Sequence, residues 1–332
     1  MEQDTILITG GCGFLGAELA HVLLAREPGR SVVLTDIVQS PRLQPLKDTV
    51  TFIQGDLSDP QFCRDLVTEN VSTVFHLASL VSGGAEQDFE AGMKANVYAT
   101  IWLLEACRLQ GRKPRFIFAS SIATFGGRDL PAEVTDWTYQ HPQNSYGVAK
   151  VVGEQLLNDY SRKGYVDGRG VRLPAIVVRD VPNTALSGYA SNLIREPLQG
   201  QDSVCPVGPQ TRIPIMSARQ AIAFLIRLAG LPEGELGDYR TLNGRGISPS
   251  AGEIAAAVRR LAPADRPLGA IRFEPDPGVQ GIIDSWPQVM HAGRASALGL
   301  PVDDSIASLV LDYVRCHSER SEGSRLTSGA KE

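Results

Sequence analysis

The first half of the chain alternates short apolar runs with longer segments of helical spacing, and this alternation constrains the fold more than any other feature. Such runs are typical of strands buried on both faces of a parallel sheet, and most are separated by segments long enough for crossover helices. The pattern predicts an α/β fold with a doubly wound parallel sheet of the Rossmann-like type. The five predicted strands contain Ile6–Ile8, Val32–Leu34, Val50–Ile53, Val74–Leu77 and Phe116–Phe118.

A glycine-rich turn follows the first predicted strand and opens a helix. Gly10, Gly13 and Gly16 permit a tight turn, a close backbone approach to a pyrophosphate and close helix packing. Asp36 ends the next strand, 20 residues after Gly16. Its carboxylate can accept hydrogen bonds from an adenosine ribose diol and would repel a 2′-phosphate. The turn therefore predicts a dinucleotide site that favours NAD over NADP, and the simpler interpretation is a structural turn followed by a helix-capping aspartate.

Tyr146 and Lys150 stand four residues apart, so both project from one face if the segment is helical. A neighbouring ammonium favours the phenolate form, so the tyrosine could accept a proton nearer to neutral pH than an isolated phenol does. Ser121, 25 residues before Tyr146, could hold a substrate hydroxyl. These three residues predict a catalytic centre, and the alternative is a surface tyrosine beside a solvated lysine.

Composition and charge argue against several classes of protein. The chain has 332 residues, is 43% hydrophobic and carries a net charge of −5 without a basic run, so we expect no nucleic-acid partner. It lacks a leader-like N-terminus and any run of the roughly 18 apolar residues that a membrane span needs, so we expect a soluble, cytoplasmic protein. Its five cysteines are scattered, which favours neither a disulfide framework nor a metal site.

Taken in order, the glycine turn, Asp36, Ser121, Tyr146 and Lys150 resemble the extended short-chain dehydrogenase/reductases over about residues 5–315. The resemblance implies that Tyr146 abstracts the proton of a substrate hydroxyl, that Lys150 binds the nicotinamide ribose and lowers the tyrosine pKa, and that Ser121 orients the hydroxyl. It also implies cofactor contacts from a wider set: Phe14, Leu15, Asp56, Leu57, Leu77, Ala78, Ser79, Asn96 and Pro174. Two neighbours of the set are expected to be structural: His76 and Ser120.

The chain divides into three parts by pattern. Residues 1–180 are expected to form the NAD-binding domain, 181–316 mainly a smaller substrate-binding lobe, and 317–332 a disordered tail. Two long helices are predicted in the first part, from Phe89 to Arg108 and from Ser145 to Arg162. Relatives commonly dimerise through this pair, so the resemblance implies a homodimer, although burial within a monomer would give similar spacing. Two later helices are predicted over Ile254–Leu261 and Ile306–Val314.

Two branches of the family offer different substrates. Nucleotide-sugar epimerases and dehydratases usually have a substrate-binding asparagine where this chain has Ala175. They also have an acidic pair in a later stretch, and this chain lacks that pair in the corresponding residues Thr211–Arg219. The chain is more similar to D-erythronate dehydrogenases, which oxidise C2 of a four-carbon sugar acid. Segments in both halves carry this likeness: Ser79–Glu86, Asp159–Gly164, Asp167–Arg169, Arg172–Pro174, Pro182–Asn183, Arg195–Leu198 and Ser285–Pro287. Of these, Arg195–Pro197 and Trp286–Pro287 are expected to pack between the lobes.

A small hydroxy acid needs cations or amides for its carboxylate and polar partners for its hydroxyls. The expected substrate contacts are Ser82, Gly83, Ser121, Tyr146, Arg179, Asn183 and Arg212. Asp180 departs from the expected pattern, because it could pair with Arg179 and weaken its attraction for a carboxylate. The sequence predicts NAD-dependent oxidation of the C2 hydroxyl of a D-erythronate-like acid to a 2-oxo acid. The alternatives are a nucleotide-sugar 4-epimerase or dehydratase that retains NAD, and an NAD-binding scaffold or redox sensor.

Overall fold

The structure is a computed structural model, which describes residues 4–177 and 186–315. In chain order the described strands are β1 (Thr5–Thr9), β2 (Ser31–Asp36), β3 (Thr51–Gln54), β4 (Val71–His76), β5 (Arg115–Ser121), β6 (Glu133–Val134), β7 (Asp167–Leu173), β8 (Ala175–Val177), β9 (Ser203–Cys205), β10 (Ile215–Ser217), β11 (Thr241–Asn243), β12 (Ile271–Phe273) and β13 (Val289–Met290). The α-helices are α1 (Phe14–Arg26), α2 (Pro60–Leu66), α3 (Ser82–Gln87), α4 (Phe89–Gly92), α5 (Ala99–Gln110), α6 (Ser145–Arg162), α7 (Gly188–Leu198), α8 (Ala218–Gly230), α9 (Ala251–Leu261), α10 (Pro277–Asp284), α11 (Gly293–Ala297) and α12 (residues 306–315).

A seven-stranded sheet forms the centre of the fold, in the order β11-β7-β5-β4-β1-β2-β3. Its neighbouring strands all pair in parallel. Alternate residues of β1 serve opposite faces: Ile6 and Ile8 pack in a cluster with α1 and α8, whereas Leu7 packs with α2 and α5. Helices cover both faces, which explains why the strands read as continuous apolar runs. The predicted fold class and all five predicted strands are confirmed.

The segment from Phe89 to Gln110 is one continuous helical stretch that changes type in its middle. A π-helical turn over Met93–Tyr98 lies between α4 and α5. π-Helical turns are uncommon and recur near functional sites, and this one carries Asn96. The prediction of a long helix here is confirmed, but its periodicity gave no sign of the π-turn.

A smaller apolar cluster lies in the second half of the chain and is built mainly by α7, α9 and α12 with short strand pairs β8–β10 and β9–β12. The chain does not stay in this lobe. Helix α8 returns to pack against α1 and the central sheet, and β11 adds the edge strand beside β7. The predicted boundary at residue 180 lies between the two described ranges and stays a prediction.

Within the described ranges, no helix has both the length and the apolar character needed to cross a membrane. In the same residues no group of three or more His, Cys, Asp or Glu is arranged to hold a metal ion. Four of the cysteines are buried and free: Cys12, Cys63, Cys107 and Cys205.

Candidate active site

The glycine turn after β1 brings two backbone segments into close contact. Gly10 has φ +67°, and a Cβ added there would lie 2.8 Å from the amide nitrogen of Ala78. A Cβ on Gly16 would lie 2.3 Å from the carbonyl oxygen of Gly10. Only glycine fits these positions, and the resulting cradle at the start of α1 suits a pyrophosphate.

Asp36 is tied to this turn by its side chain. One carboxylate oxygen accepts a hydrogen bond from the Cys12 amide at 3.0 Å, and the other accepts one from the Ile37 amide at 2.8 Å. The next two side chains, Ile37 and Val38, are largely exposed, so an apolar surface borders the carboxylate. The backbone of Gly55 donates to the Asp36 carbonyl oxygen, which brings the segment with Asp56 and Leu57 beside Asp36.

A cleft of about 450 Å³ runs from the glycine turn to the second lobe. Twelve of the residues predicted to form the site line it: Gly10, Gly13, Phe14, Leu15, Gly16, Leu77, Ser79, Ser82, Ser121, Tyr146, Lys150 and Pro174. Seven others lie in the described ranges outside its lining: Asp36, Asp56, Leu57, Ala78, Gly83, Asn96 and Arg212. The cleft lies at the carboxyl ends of parallel strands, where ligands bind in doubly wound sheets.

Helix α6 brings Tyr146 and Lys150 to the wall of the cleft. Asn144 caps the helix by accepting a hydrogen bond from the Gly147 amide at 2.8 Å. A Cβ on Gly147 would lie 2.1 Å from the carbonyl oxygen of Ala123, so the helix approaches the loop after Ser121 as closely as glycine allows. The predicted trio thereby lines one cleft.

Lys150 is almost fully buried in this arrangement. Its side-chain nitrogen lies 5.4 Å from the centroid of the Tyr146 ring and 5.0 Å from that of Phe118. Burial lowers the pKa of Lys150 to about 8, and the carboxylate of Glu154 opposes that change. Lys150 therefore carries a charge at neutral pH beside an aromatic face.

Glu154, one turn after Lys150, was not identified from the sequence. Its buried carboxylate accepts hydrogen bonds from the Ser120 hydroxyl, from Gln140 at 3.0 Å and from Arg172, whose closest contact is 2.8 Å. Ser120 is thus bonded within the core, as expected of a structural residue. A charged residue in the middle of an apolar helix face was a sequence signal that could have indicated a buried carboxylate. The sequence could not show that Arg172 is its partner, because Arg172 is distant in the chain.

His76 is a core residue, as expected. Its Nδ1 lies 2.8 Å from the Thr9 hydroxyl and its Nε2 lies 3.0 Å from the Thr100 hydroxyl. Complete burial, followed by the charge of Lys150, lowers the pKa of His76 to about 3. The imidazole is therefore neutral at physiological pH and links β1, β4 and α5.

Asn96 acts on the cleft through a loop. Its side-chain oxygen accepts hydrogen bonds from the Ser79 hydroxyl at 2.9 Å and the Leu80 amide at 2.8 Å, and its amide donates to the Leu80 carbonyl. The π-turn places this buried side chain under the loop that leads to Ser82. Asn96 therefore supports the wall of the cleft, and its predicted contact with the cofactor stays a prediction.

Arg212 is held outside the lining of the cleft. Its guanidinium forms an ion pair with Glu253 at 3.0 Å and donates to the Ser248 carbonyl oxygen at 2.7 Å. The carboxylate that neutralises it comes from the first turn of α9, a contact that sequence spacing could not indicate. Arg179 and Asn183, together with Asp180, lie outside the described residues.

Arg42, Ser187 and Trp286 are among the cleft residues that were not identified as ligand contacts from the sequence. Arg42 lines the cleft near the glycine turn, with its guanidinium 5.5 Å from the centroid of the Phe14 ring. Ser187 and Trp286 line it from the second lobe. Trp286 belongs to a segment that was expected to pack between lobes, and it is 6% exposed. The same side chain packs in the lobe and forms a wall of the cleft.

Comparison with known proteins gives consistent matches. The model of the NAD dependent epimerase/dehydratase family matches residues 6–223. A D-erythronate dehydrogenase of Cupriavidus necator is 43% identical over 322 residues, covering 93% of this chain and 97% of the relative. The D-erythronate dehydrogenase of Haemophilus influenzae is 39% identical over 313 residues, covering 93% and 98%. The solved structure of a nucleoside-diphosphate-sugar epimerase from Agrobacterium tumefaciens superposes with a TM-score of 0.85 at 35% identity, covering 93% of each chain.

Proposed function

The chain belongs to the NAD dependent epimerase/dehydratase family and is an oxidoreductase acting on a CH–OH group, and we propose that it oxidises the C2 hydroxyl of a small sugar acid resembling D-erythronate to a 2-oxo acid. One observation carries the proposal: a single cleft is lined by the glycine turn, Ser121, Tyr146 and Lys150. The D-erythronate dehydrogenases similar to this chain support the choice of substrate.

Each of the three residues has a distinct role in this proposal. Tyr146 accepts the proton of the C2 hydroxyl, and the Lys150 ammonium lowers the cost of holding the phenolate. Ser121, whose hydroxyl oxygen accepts a hydrogen bond from the Ala123 amide at 3.1 Å, keeps its own O–H available to orient the substrate oxygen. The bound nicotinamide cofactor accepts the hydride that leaves C2.

The residues around the turn favour NAD over NADP. The glycine cradle suits the pyrophosphate, and the Asp36 carboxylate would accept hydrogen bonds from a ribose diol. A 2′-phosphate there would meet a negative charge that the Cys12 amide already fixes in place. Asp36 therefore sets the preference for the cofactor without a 2′-phosphate.

A small acid fits the part of the cleft nearest the second lobe. Ala175 offers no hydrogen-bonding side chain, and Trp286 presents an aromatic wall. Ser82 and Ser187 can bond the hydroxyls of a short substrate. Arg179 follows β8, whose first two residues line the cleft, and we assign it the substrate carboxylate.

A second function is retained because of the structural likeness to the nucleoside-diphosphate-sugar epimerase. Such an enzyme would use the same three residues but return the hydride to the sugar, so the cofactor would show no net reduction. The two functions therefore differ in a directly measurable product.

The test is a panel of purified sugar acids and nucleotide sugars, with NADH formation followed by absorbance. We expect net NADH with erythronate or threonate and a 2-oxo acid product. The Tyr146→Phe protein, which keeps the ring but lacks the hydroxyl, should bind NAD and produce none. Product from a UDP- or dTDP-sugar without net NADH would replace this proposal with the epimerase or dehydratase.

Three large hydrophobic side chains on α4, the π-turn and α6 are exposed. They are Phe89 on α4, Tyr98 in the π-turn and Val148 on α6, with exposed fractions of 65%, 44% and 49%. A second copy would cover them, so we propose a homodimer through this surface, located in the cytoplasm. Light scattering of the purified protein should give twice the mass of the chain, and a monomeric mass would refute the dimer.

A further inference from the structure

We propose that Glu154 is a positioning residue of the hydride-transfer centre: its buried carboxylate, fixed by Arg172, keeps the Lys150 side chain charged and directed at Tyr146. The inference rests on the proposed function, since it assigns the pair Tyr146 and Lys150 to catalysis. It concerns a residue that lies behind the cleft wall and outside its lining.

The geometry places Glu154 directly behind the catalytic pair. Tyr146, Lys150 and Glu154 succeed one another at intervals of four residues on α6, so they form one row along the helix. Lys150 and Glu154 are 3% and 1% exposed. A buried ammonium is costly without a compensating charge, and the next residue in the row supplies one.

Arg172 holds both oxygens of the Glu154 carboxylate by hydrogen bonds. Its Nε lies 3.1 Å from both carboxylate oxygens, and its Nη2 lies 2.8 Å from one of them. The other guanidinium nitrogen donates to the Asn243 side chain at 3.2 Å and to the Asp136 carbonyl oxygen at 3.3 Å. Because Arg172 lies on β7 and its partner Asn243 lies on β11, the carboxylate of Glu154 is held in place beside the row.

Glu154 also connects Lys150 with the strand that carries Ser121. Its carboxylate accepts a hydrogen bond from the Ser120 hydroxyl near the end of β5. The carboxylate thus contacts the neighbour of the substrate-orienting serine and stands one turn from the lysine. Loss of its charge would affect both sides of the catalytic centre.

The other charges near Lys150 do not replace this carboxylate. His76 on β4 is neutral at physiological pH, and Arg172 on β7 is a cation. On the remaining elements that pack against α6, Glu86 accepts from the Ser145 amide at the helix start, Lys94 pairs with Glu90, and Glu105 pairs with Arg108 and Tyr160. Glu154 is buried one helical turn from the lysine and is not engaged at a distant site as these carboxylates are, and its charge opposes the fall in the Lys150 pKa that burial causes.

The decisive experiment titrates Lys150 directly, without a substrate. The chain contains six lysines, so the ¹³Cε signals of lysine-labelled protein can be followed by NMR against pH, and the Lys150→Met spectrum identifies the signal. In Glu154→Gln the Lys150 midpoint should fall by about one pH unit or more, because a neighbouring opposite charge is lost. In Glu154→Asp, which keeps the charge, it should stay closer to the wild-type value.

Further variants keep the test decisive. Glu233→Gln removes an exposed carboxylate that pairs with Lys113, and it should leave the Lys150 midpoint unchanged. If Glu154→Gln does not fold because Arg172 is left unpaired, the double variant Glu154→Gln/Arg172→Gln removes both buried charges, and its Lys150 midpoint should lie below that of Arg172→Gln, which keeps the carboxylate. The proposal is overturned if the midpoint in folded Glu154→Gln equals wild type, or if the midpoint in the double variant equals that in Arg172→Gln.

Activity gives an independent readout. In Glu154→Gln the alkaline limb of kcat for NAD reduction by a sugar acid should move to lower pH in parallel with the Lys150 midpoint. If no sugar acid is oxidised by the wild-type protein, the proposed function fails while the NMR titration still decides the role of Glu154. If oxidation is observed and the midpoint does not move, only the role of Glu154 fails.

Discussion

The side-chain nitrogen of Lys150 lies 5.4 Å from the centroid of the Tyr146 ring, one helical turn away on the same face of α6. In the proposed mechanism the ammonium at this position stabilises the phenolate, and the Lys150 side chain is shielded from water. Replacing Lys150 by Met keeps the bulk of the side chain and removes the charge. We expect kcat for sugar-acid oxidation to fall by about 100-fold or more, the range typical of lost acid–base assistance. Lys163→Met, an exposed lysine at the end of the same helix, should retain activity, and equal rates in the two variants would remove Lys150 from the mechanism.

Gly147 sets the distance between α6 and the loop that follows Ser121. Because an added Cβ would lie 2.1 Å from the Ala123 carbonyl oxygen, Gly147→Ala must push the helix from the loop. We expect a loss of about 1–3 kcal/mol in the free energy of unfolding and a larger relative loss of kcat than of NAD affinity. Gly281→Ala is the matched control, because this helical glycine has open space around its Cβ position. Its stability should rise slightly or stay constant, and similar losses in both proteins would contradict the steric explanation.

The elements that follow a simple period could be predicted from the sequence. The five apolar strands, the glycine turn, Asp36 and the Tyr146–Lys150 pair depend on short-range spacing, and the structure places all of them in the expected elements. The edge strand β11 could not be predicted, because three residues give no period and its place beside β7 is a long-range choice. The π-turn could not be predicted either, because it leaves the pattern of apolar residues unchanged.

Contacts between distant residues of the site could not be predicted from the sequence. Arg212 suited a substrate anion by its chemistry, but Glu253, 41 residues later, pairs with it. Glu154 and Arg172 neutralise each other in the core although each alone resembles a surface residue. Trp286 and Arg42 reach the cleft from loops whose paths depend on packing. Residue type was a sound guide to chemistry, whereas the partner of each charge required the fold.

His76 makes the stability of the protein depend on pH in the acid range. Its pKa is lowered to about 3 in the folded state against an ordinary value of 6.5, so the unfolded chain takes up a proton as pH falls below 6.5 while the folded chain does not. Between pH 6.5 and pH 5 this difference should cost about 2 kcal/mol of unfolding free energy. In His76→Gln, measured by urea unfolding at both pH values, that loss should be largely removed. His141→Gln, at an exposed site, should keep the wild-type dependence, and an unchanged slope in His76→Gln would refute the assignment.

Asp36 should control the choice between the two nicotinamide dinucleotides. Asp36→Asn keeps an oxygen that can accept from the Cys12 amide but removes the charge that repels a 2′-phosphate. We expect the Kd for NAD to rise and the ratio of NADP to NAD affinity to increase by about 10-fold or more. Isothermal titration with both cofactors measures this ratio. Asp48→Asn, an exposed carboxylate before β3, removes the same charge elsewhere and should keep the wild-type preference, so an equal change in both variants would indicate a general charge effect.

Replacing Arg179 and replacing Arg212 should have different effects on substrate binding. Arg212 is engaged by Glu253 and the Ser248 carbonyl outside the cleft lining, whereas Arg179 follows the strand β8 that begins in the cleft. Removal of a charged contact to a carboxylate costs about 2–3 kcal/mol, so Arg179→Ala should raise KM for the sugar acid by roughly 30-fold or more with an unchanged Kd for NAD. Arg212→Ala removes an exposed ion pair and should change KM less than about twofold. A raised KM in Arg212→Ala alone would reverse the assignment, and unchanged values in both proteins would mean that another group holds the carboxylate.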